Sequence, residues 1–183
     1  YRSTNSGRTW TNSLLPGYPT DTSPEGLASP LHQQGIGNAG DPVQAWDLGG
    51  RVFFMGNAFN RAAPQNGAVW VATYDRHGTH YVRTNIVANG TPALAGVFND
   101  KTAIEVDRGV NSPHGGNVYA AFSVFQGNGN NEIKFVRSTD HGLTFSHPVR
   151  LSEGSLANHF ALLAAASQCH LSTPWDAPHA FSA

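Results

Sequence analysis

Four residues stand where an acid, a base or an anion clamp could be built: Asp41, Arg61, Asp100 and Lys101. Two neighbouring carboxylates can divide the work of general acid and general base. A guanidinium fork matches the two oxygens of a carboxylate, and an ammonium offers a compact point charge. Each residue also has a plainer role open to it. An aspartate ahead of a strand caps a turn, and a surface arginine is simply solvated. Other constellations are thinner. His77 and His80 put two imidazoles at one turn, short of the three or four converging ligands a metal needs, so no metal site is expected. Gly127-Asn128-Gly129-Asn130-Asn131 precedes no helix and reads as a hairpin loop, not a phosphate cradle. Cys169 is the single cysteine, which excludes an internal disulfide. No cofactor is expected. Asn89-Gly90-Thr91 is a glycosylation acceptor only in a eukaryotic secretory pathway.

The elements that must position these residues are announced by composition. Charged residues are 13% of the 183, with 20 glycines and 11 prolines, where an average soluble domain has roughly 25% charged residues. Low charge with many turn formers points to an all-β chain of short strands. The net charge of −1 and the lack of a basic run exclude nucleic acid and anionic membrane as evident partners. No stretch approaches the ~18 apolar residues of a membrane span. The opening Tyr1-Arg2-Ser3 carries no signal-peptide pattern.

Two segments repeat. Ser3-Thr4-Asn5-Ser6-Gly7-Arg8-Thr9-Trp10 and Ser138-Thr139-Asp140-His141-Gly142-Leu143-Thr144-Phe145 both read S-T-(D/N)-x-G-x-T-aromatic. The Asx oxygen can accept from backbone N–H groups just ahead and close a tight turn. The glycine supplies a positive φ, the threonine opens a strand, and the aromatic packs and pins the hairpin. Thr73–Tyr81 resembles the unit with one extra residue, giving turns roughly 65–70 residues apart, near the upper range for propeller repeats. A second unit recurs: Asp41 to Asp47, then Gly49-Gly50 and a strand from Arg51, against Asp100 to Asp107, then Gly115-Gly116 and a strand from Asn117. That pairs Asp41 with Asp100.

The turn units resemble the Asp box, or BNR repeat, of form S-x-D-x-G-x-T-W. The stretch Asp100-Lys101-Thr102-Ala103-Ile104-Glu105-Val106-Asp107 resembles the D-K-x-x-I-x-V-D segment of bacterial sialidase-like sequences. The resemblance implies antiparallel four-stranded blades of a partial β-propeller, from an exported protein found outside the cell or on its surface. It implies a fragment, of about two and a half blades, of a glycoside hydrolase acting on extracellular glycans. The alternative is a non-catalytic Asp-box propeller that binds a glycan or an extracellular protein. Ser3, Asn5, Gly7, Thr9, Trp10, Ser138, Asp140, Gly142, Thr144 and Phe145 are turn staples in this reading. Family members share three arginines, a tyrosine–glutamate pair, an aspartate acid/base and an R-I-P motif. This chain has no R-I-P, and no catalytic residue carries across.

The expected layout is the end of a blade over 1–15, a long loop over 16–40, blades over 41–87 and 100–151, the start of another over 158–166, and an irregular tail over 167–183. The tail is either out of register with the blade before it, as a shifted reading frame would leave it, or an unusual terminal strand and tail. Trp46, Trp70, Phe53 and Phe54 are expected in the core. In a meander successive turns alternate between two ends. The repeated turns lie at one end. The longer segments 16–40, 57–66, 88–99 and 125–131 gather at the other, where loops on a rigid sheet carry binding. That places Asp41, Arg61, Asp100 and Lys101 on one candidate ligand face. Unclosed blades leave sheet edges bare, so edge-to-edge self-association is expected.

Overall fold

The computed structural model describes residues 1–60, 67–91, 96–127, 129–153, 160–165, 170–172 and 181–182. The chain is all-β, built on two antiparallel four-stranded meanders. The first runs β1 Asn38–Trp46, β2 Val52–Phe59, β3 Ala68–Asp75 and β4 His80–Ala88. The second runs β5 Phe98–Val106, β6 Val118–Phe125, β7 Asn131–Ser138 and β8 Val149–Arg150. Strands pair in chain order within each sheet. Between Pro16 and Gly37 two one-turn helices form, α1 Pro24–Ala28 and α2 Pro30–Gln33. Ser23 caps α1 by accepting from the Gly26 N–H, and each helix begins on a proline, whose missing N–H costs nothing there.

The central strands read as near-continuous apolar runs because both their faces are covered. On one face of the first sheet, Ala45, Phe53, Met55, Val69, Val71 and Val87 pack on Val106, Val118, Ala120, Phe122, Val124 and Val136 of the second, forming a single core. The alternation along β2 and β3, with every second side chain in this core, is the two-residue period of a strand. On its other face Ala58, Ala68, Trp70 and Ala72 are covered by Leu31 and Ile36 from the helical segment. The second sheet's outer face buries Ala103, Tyr119, Ala121 and Ile133 under Leu163. First strands lie side by side: β5 packs against β1, and also touches β2 and β3.

Trp46 corrects the expectation that it is core. It follows Ala45 in the alternation and so faces away from the inter-sheet core, and it is 40% exposed. It lines a cleft of about 550 Å³ with Tyr1, Trp10, Phe54, Tyr74 and His77. Phe53 and Trp70 are buried as expected, and Phe54 is half-buried beside Trp70, ring centroids 5.6 Å apart. Most of the expected tail over 167–183, and part of the segment over 158–166, lie outside the described residues. Within them residues 170–172 pair antiparallel with 164–165 and 181–182.

Candidate functional site

The two repeated turns are built from the same set of bonds. Ser138 Oγ accepts from the backbone N–H of Gly142 at 2.8 Å and donates to Asp140 Oδ1 at 2.7 Å, while Thr144 N–H donates to the same Oδ1 at 2.8 Å. Ser3 Oγ accepts from Gly7 N–H at 2.8 Å and donates to Asn5 Oδ1 at 3.0 Å, and Thr9 N–H donates to that oxygen at 2.9 Å. One difference follows from the amide. Thr144 Oγ1 donates to the second carboxylate oxygen of Asp140, whereas Asn5 Nδ2 donates to Thr9 Oγ1 at 2.8 Å, the hydroxyl reversing its role. His141 and Gly142 take φ of 57° and 78°, Ser6 and Gly7 58° and 82°. Trp10 folds over its own turn, Nε1 donating to Gly7 O at 3.0 Å, and Phe145 packs against the main core. Burial raises the Asp140 carboxyl, but the hydrogen bonds from Thr144, Ser138 and the backbone outweigh it and hold it at about 2.

The third turn is different. Among the described residues no backbone N–H donates to the Asp75 carboxylate; its backbone oxygen accepts from Gly78 and Thr79 instead. The carboxylate pairs with His80 Nδ1 at 2.7 Å. The likeness over 73–81 is therefore one of position, not of bonding. Thr73, at the serine's place, is buried and donates across to Gly142 O of the other sheet at 3.2 Å, where Asn85 Nδ2 also donates at 3.0 Å.

At the opposite end of the sheets, both first strands carry a β-bulge. Pairing to β2 slips between Gly40 and Val43, and pairing to β6 slips between Asp100 and Ala103. Asp41 and Lys101 occupy the same bulge position, 60 residues apart, with φ of 48° and 51°. The expected alignment of Asp41 with Asp100 is thus off by one: Asp41 matches Lys101, and Gly40 matches Asp100. The bulges aim their side chains at one point because β1 and β5 are neighbours. Lys101 Nζ lies 3.4 Å from Asp41 Oδ2 and 3.3 Å from Asp100 Oδ2. Lys101 N–H also donates to Asp41 Oδ2 at 3.3 Å, and Thr102 Oγ1 donates to Asp41 O. Asn57 Nδ2 donates to Asp100 Oδ1.

The structure brings together Asp41, Asp100 and Lys101; Arg61 lies outside the described residues. Burial pushes the Asp100 carboxyl above its ordinary value, and the neighbouring Asp41 adds to this. Asp41, beside Asp100 and facing Lys101, is held below its ordinary value. The bond to Asp100 raises the Lys101 ammonium. Such a set can accept hydrogen bonds from hydroxyls at Asp41, while Lys101 is occupied by the two carboxyls and Asp100 is the group that burial favours for holding a proton.

Three further residues complete the site. Asn57 is 3% exposed, and Thr102 sits on the bulge. Phe160, 59% exposed, has its ring centroid 5.9 Å from Lys101 Nζ. Asn57 had a signal in the sequence, being an amide inside the apolar run Val52–Phe59; Phe160 had none. No protein-family model matches the chain, and no curated protein matches it. Among the described residues no helix is long and apolar enough to cross a membrane, and no group of three or more His, Cys, Asp or Glu could hold a metal.

Proposed function

We propose that the chain is part of a sialidase-like Asp-box β-propeller, a glycoside hydrolase acting on extracellular glycans, and that it supplies one wall of the ligand site rather than a complete catalytic set. The protein is read as exported, outside the cell or on its surface. Support for the architecture comes from the two turns with matching bonds, from consecutive meanders packed face to face, and from first strands lying side by side as they do around a propeller axis. The observation that carries the functional reading is the meeting of Asp41, Asp100 and Lys101 at paired bulges. Bulges recur next to binding and catalytic sites, where they re-aim side chains. Two non-glycine residues with positive φ at one place are a further mark of function.

A second reading, a propeller that binds a glycan or a protein without cleaving it, is favoured by one observation. Lys101, the cation paired with both carboxylates, is engaged by them and not open to clamp a substrate. The test is retention on immobilised glycans by the full chain, compared with Asp100→Ala. Retention by the native chain and loss by a variant of unchanged thermal stability supports the site. Equal retention by both contradicts it. Release of a reducing sugar separates hydrolase from binder.

A further inference from the structure

Gln44 and Trp46 stand where the second sheet has Ile104 and Val106. The pairings fix this: Gln44 lies opposite Phe54 and Trp46 opposite Val52 on β2, as Ile104 lies opposite Ala120 and Val106 opposite Val118 on β6. In the second sheet these two positions are apolar and belong to the core between the sheets. In the first they line the cleft of about 550 Å³ that they share with Arg2 and Trp10, within the roughly 300–1,000 Å³ of ligand clefts. A face meant only to be packed dry would keep the isoleucine and the valine. An exposed glutamine and a tryptophan 40% exposed suit a wet cavity instead, since the indole joins an apolar plate to a polar N–H.

The walls carry aromatic surface and one sign of charge. Trp10, 62% exposed, and Trp46 offer two indoles to the same space, with Phe54 and Tyr74 beside them. The sister residue of Trp10, Phe145, packs against the main core, so Trp10 too departs from the repeat at this cleft. Arg2 is the one arginine or lysine in the lining, and no aspartate or glutamate lines it. Arg2 Nε donates to His77 O at 3.2 Å, which leaves the two terminal nitrogens of the guanidinium without a partner among the described residues. The Gln44 amide is likewise unspent among them. A sugar ring offers C–H faces to such plates and hydroxyls to the amide. An anionic group on the ring completes a forked pair with the guanidinium, whose planar donors match two oxygens at once. With no carboxylate in the cleft, the pair of acids a glycoside hydrolase uses is missing there, and the ring is held rather than cleaved. Trp46 stands at the other end of β1 from Asp41, roughly 15 Å along the strand, so the cleft is separate from the paired bulges.

We infer that the cleft between Trp10 and Trp46 is a second, non-catalytic glycan site, which takes a sugar ring bearing one anionic group, stacked on the indoles and paired with Arg2. That the ligand is a sugar rests on the reading of the chain as a glycan-directed propeller; that it is an anion rests on Arg2. The experiment is titration NMR of the full chain, read at the indole N–H signals of Trp10 and Trp46, with four probes: methyl β-glucuronide, glucose 6-sulfate, methyl β-glucoside and phenylacetate. At least one sugar acid should give saturable shifts and bind roughly tenfold tighter than the neutral glucoside, the ratio one charge-assisted pair sets. The tighter of the two acids tells carboxylate from sulfate. Trp46→Val and Trp10→Phe, which approach the residues at the sister positions, should fold and weaken every sugar. Arg2→Gln should remove the preference for the acids, and Arg2→Lys, which keeps the charge but not the fork, should keep part of it. Equal binding of neutral and acidic sugars overturns the inference, as does phenylacetate binding as tightly as the sugar acids, or the absence of any indole shift. None of these results decides the glycan reading of the paired bulges, which fails separately if a neutral glycan leaves the amides of Asp41, Lys101 and Thr102 unmoved.

Discussion

Asp41 and Lys101 are the same residue of two successive sheets, and they touch: Lys101 Nζ is 3.4 Å from Asp41 Oδ2, with both backbones at positive φ on matching bulges. A repeat that places unlike charges at equivalent positions turns its own symmetry into an inter-sheet contact. Both side chains are a third or more exposed, so the pair adds little to stability. A double-mutant cycle with Asp41→Asn and Lys101→Met, read by urea unfolding, should give a coupling of about 0.2–1 kcal/mol that shrinks with added salt. Coupling of several kcal/mol would show the contact to be a structural clamp instead.

Gly142 is held by two independent constraints. Its φ is +78°, and an added Cβ would stand 2.7 Å from the Phe53 ring and 2.8 Å from Thr73 Oγ1 across the sheet interface. Gly129 has φ of +84° with nothing within 4 Å. Gly129→Ala should therefore cost about 1 kcal/mol, the backbone term alone. Gly142→Ala should cost about 2–4 kcal/mol, because overpacking is added. Chemical denaturation of the two variants checks the difference.

The turn at Asp140 should make stability depend on acid. Its folded value of about 2 lies below the ordinary 3.8. A depressed carboxyl contributes stability that is present above about 3.8 and is lost as pH falls toward about 2. Asp21, lowered mainly by the Gly17 N–H, acts in the same direction, so the informative quantity is a difference. Asp140→Asn should fold, since Asn5 closes the sister turn with an amide. Its stability should fall less than the native chain's between pH 4 and pH 2, in thermal melts at each pH.

Self-association is expected through β4, which ends the first sheet and pairs on one side only among the described residues. Light scattering on a gel-filtered sample should show mass rising with concentration. A strictly monomeric chain over a hundredfold range would remove that expectation.

Some of this was legible in the sequence for a physical reason. The two serine–Asx turns close on hydrogen bonds within eight residues, so their residue types alone declare them. The strands declared themselves through two-residue alternation and the turn formers between them. Asp41, Asp100 and Lys101 could be assigned to one end by topology, because meander turns alternate. Their contact could not, since it depends on a bulge at the same place in each first strand, which brings Asp41 and Lys101 to one point. The third turn misled because Asp75, Gly78 and Thr79 keep the spacing while His80 takes the carboxylate away. Trp46 misled because the face it shares with Phe54 is only partly covered by the segment ahead of β1.

The most direct test of the account is a residue-resolved NMR titration of the full chain with N-acetyllactosamine. Saturable shifts should appear at the amides of Asp41, Lys101 and Thr102, with the turn at Ser138 to Thr144 unmoved at the far end. No saturable shift, or shifts confined to the Trp10 and Trp46 cleft, would contradict the assignment of a glycan site to the paired bulges.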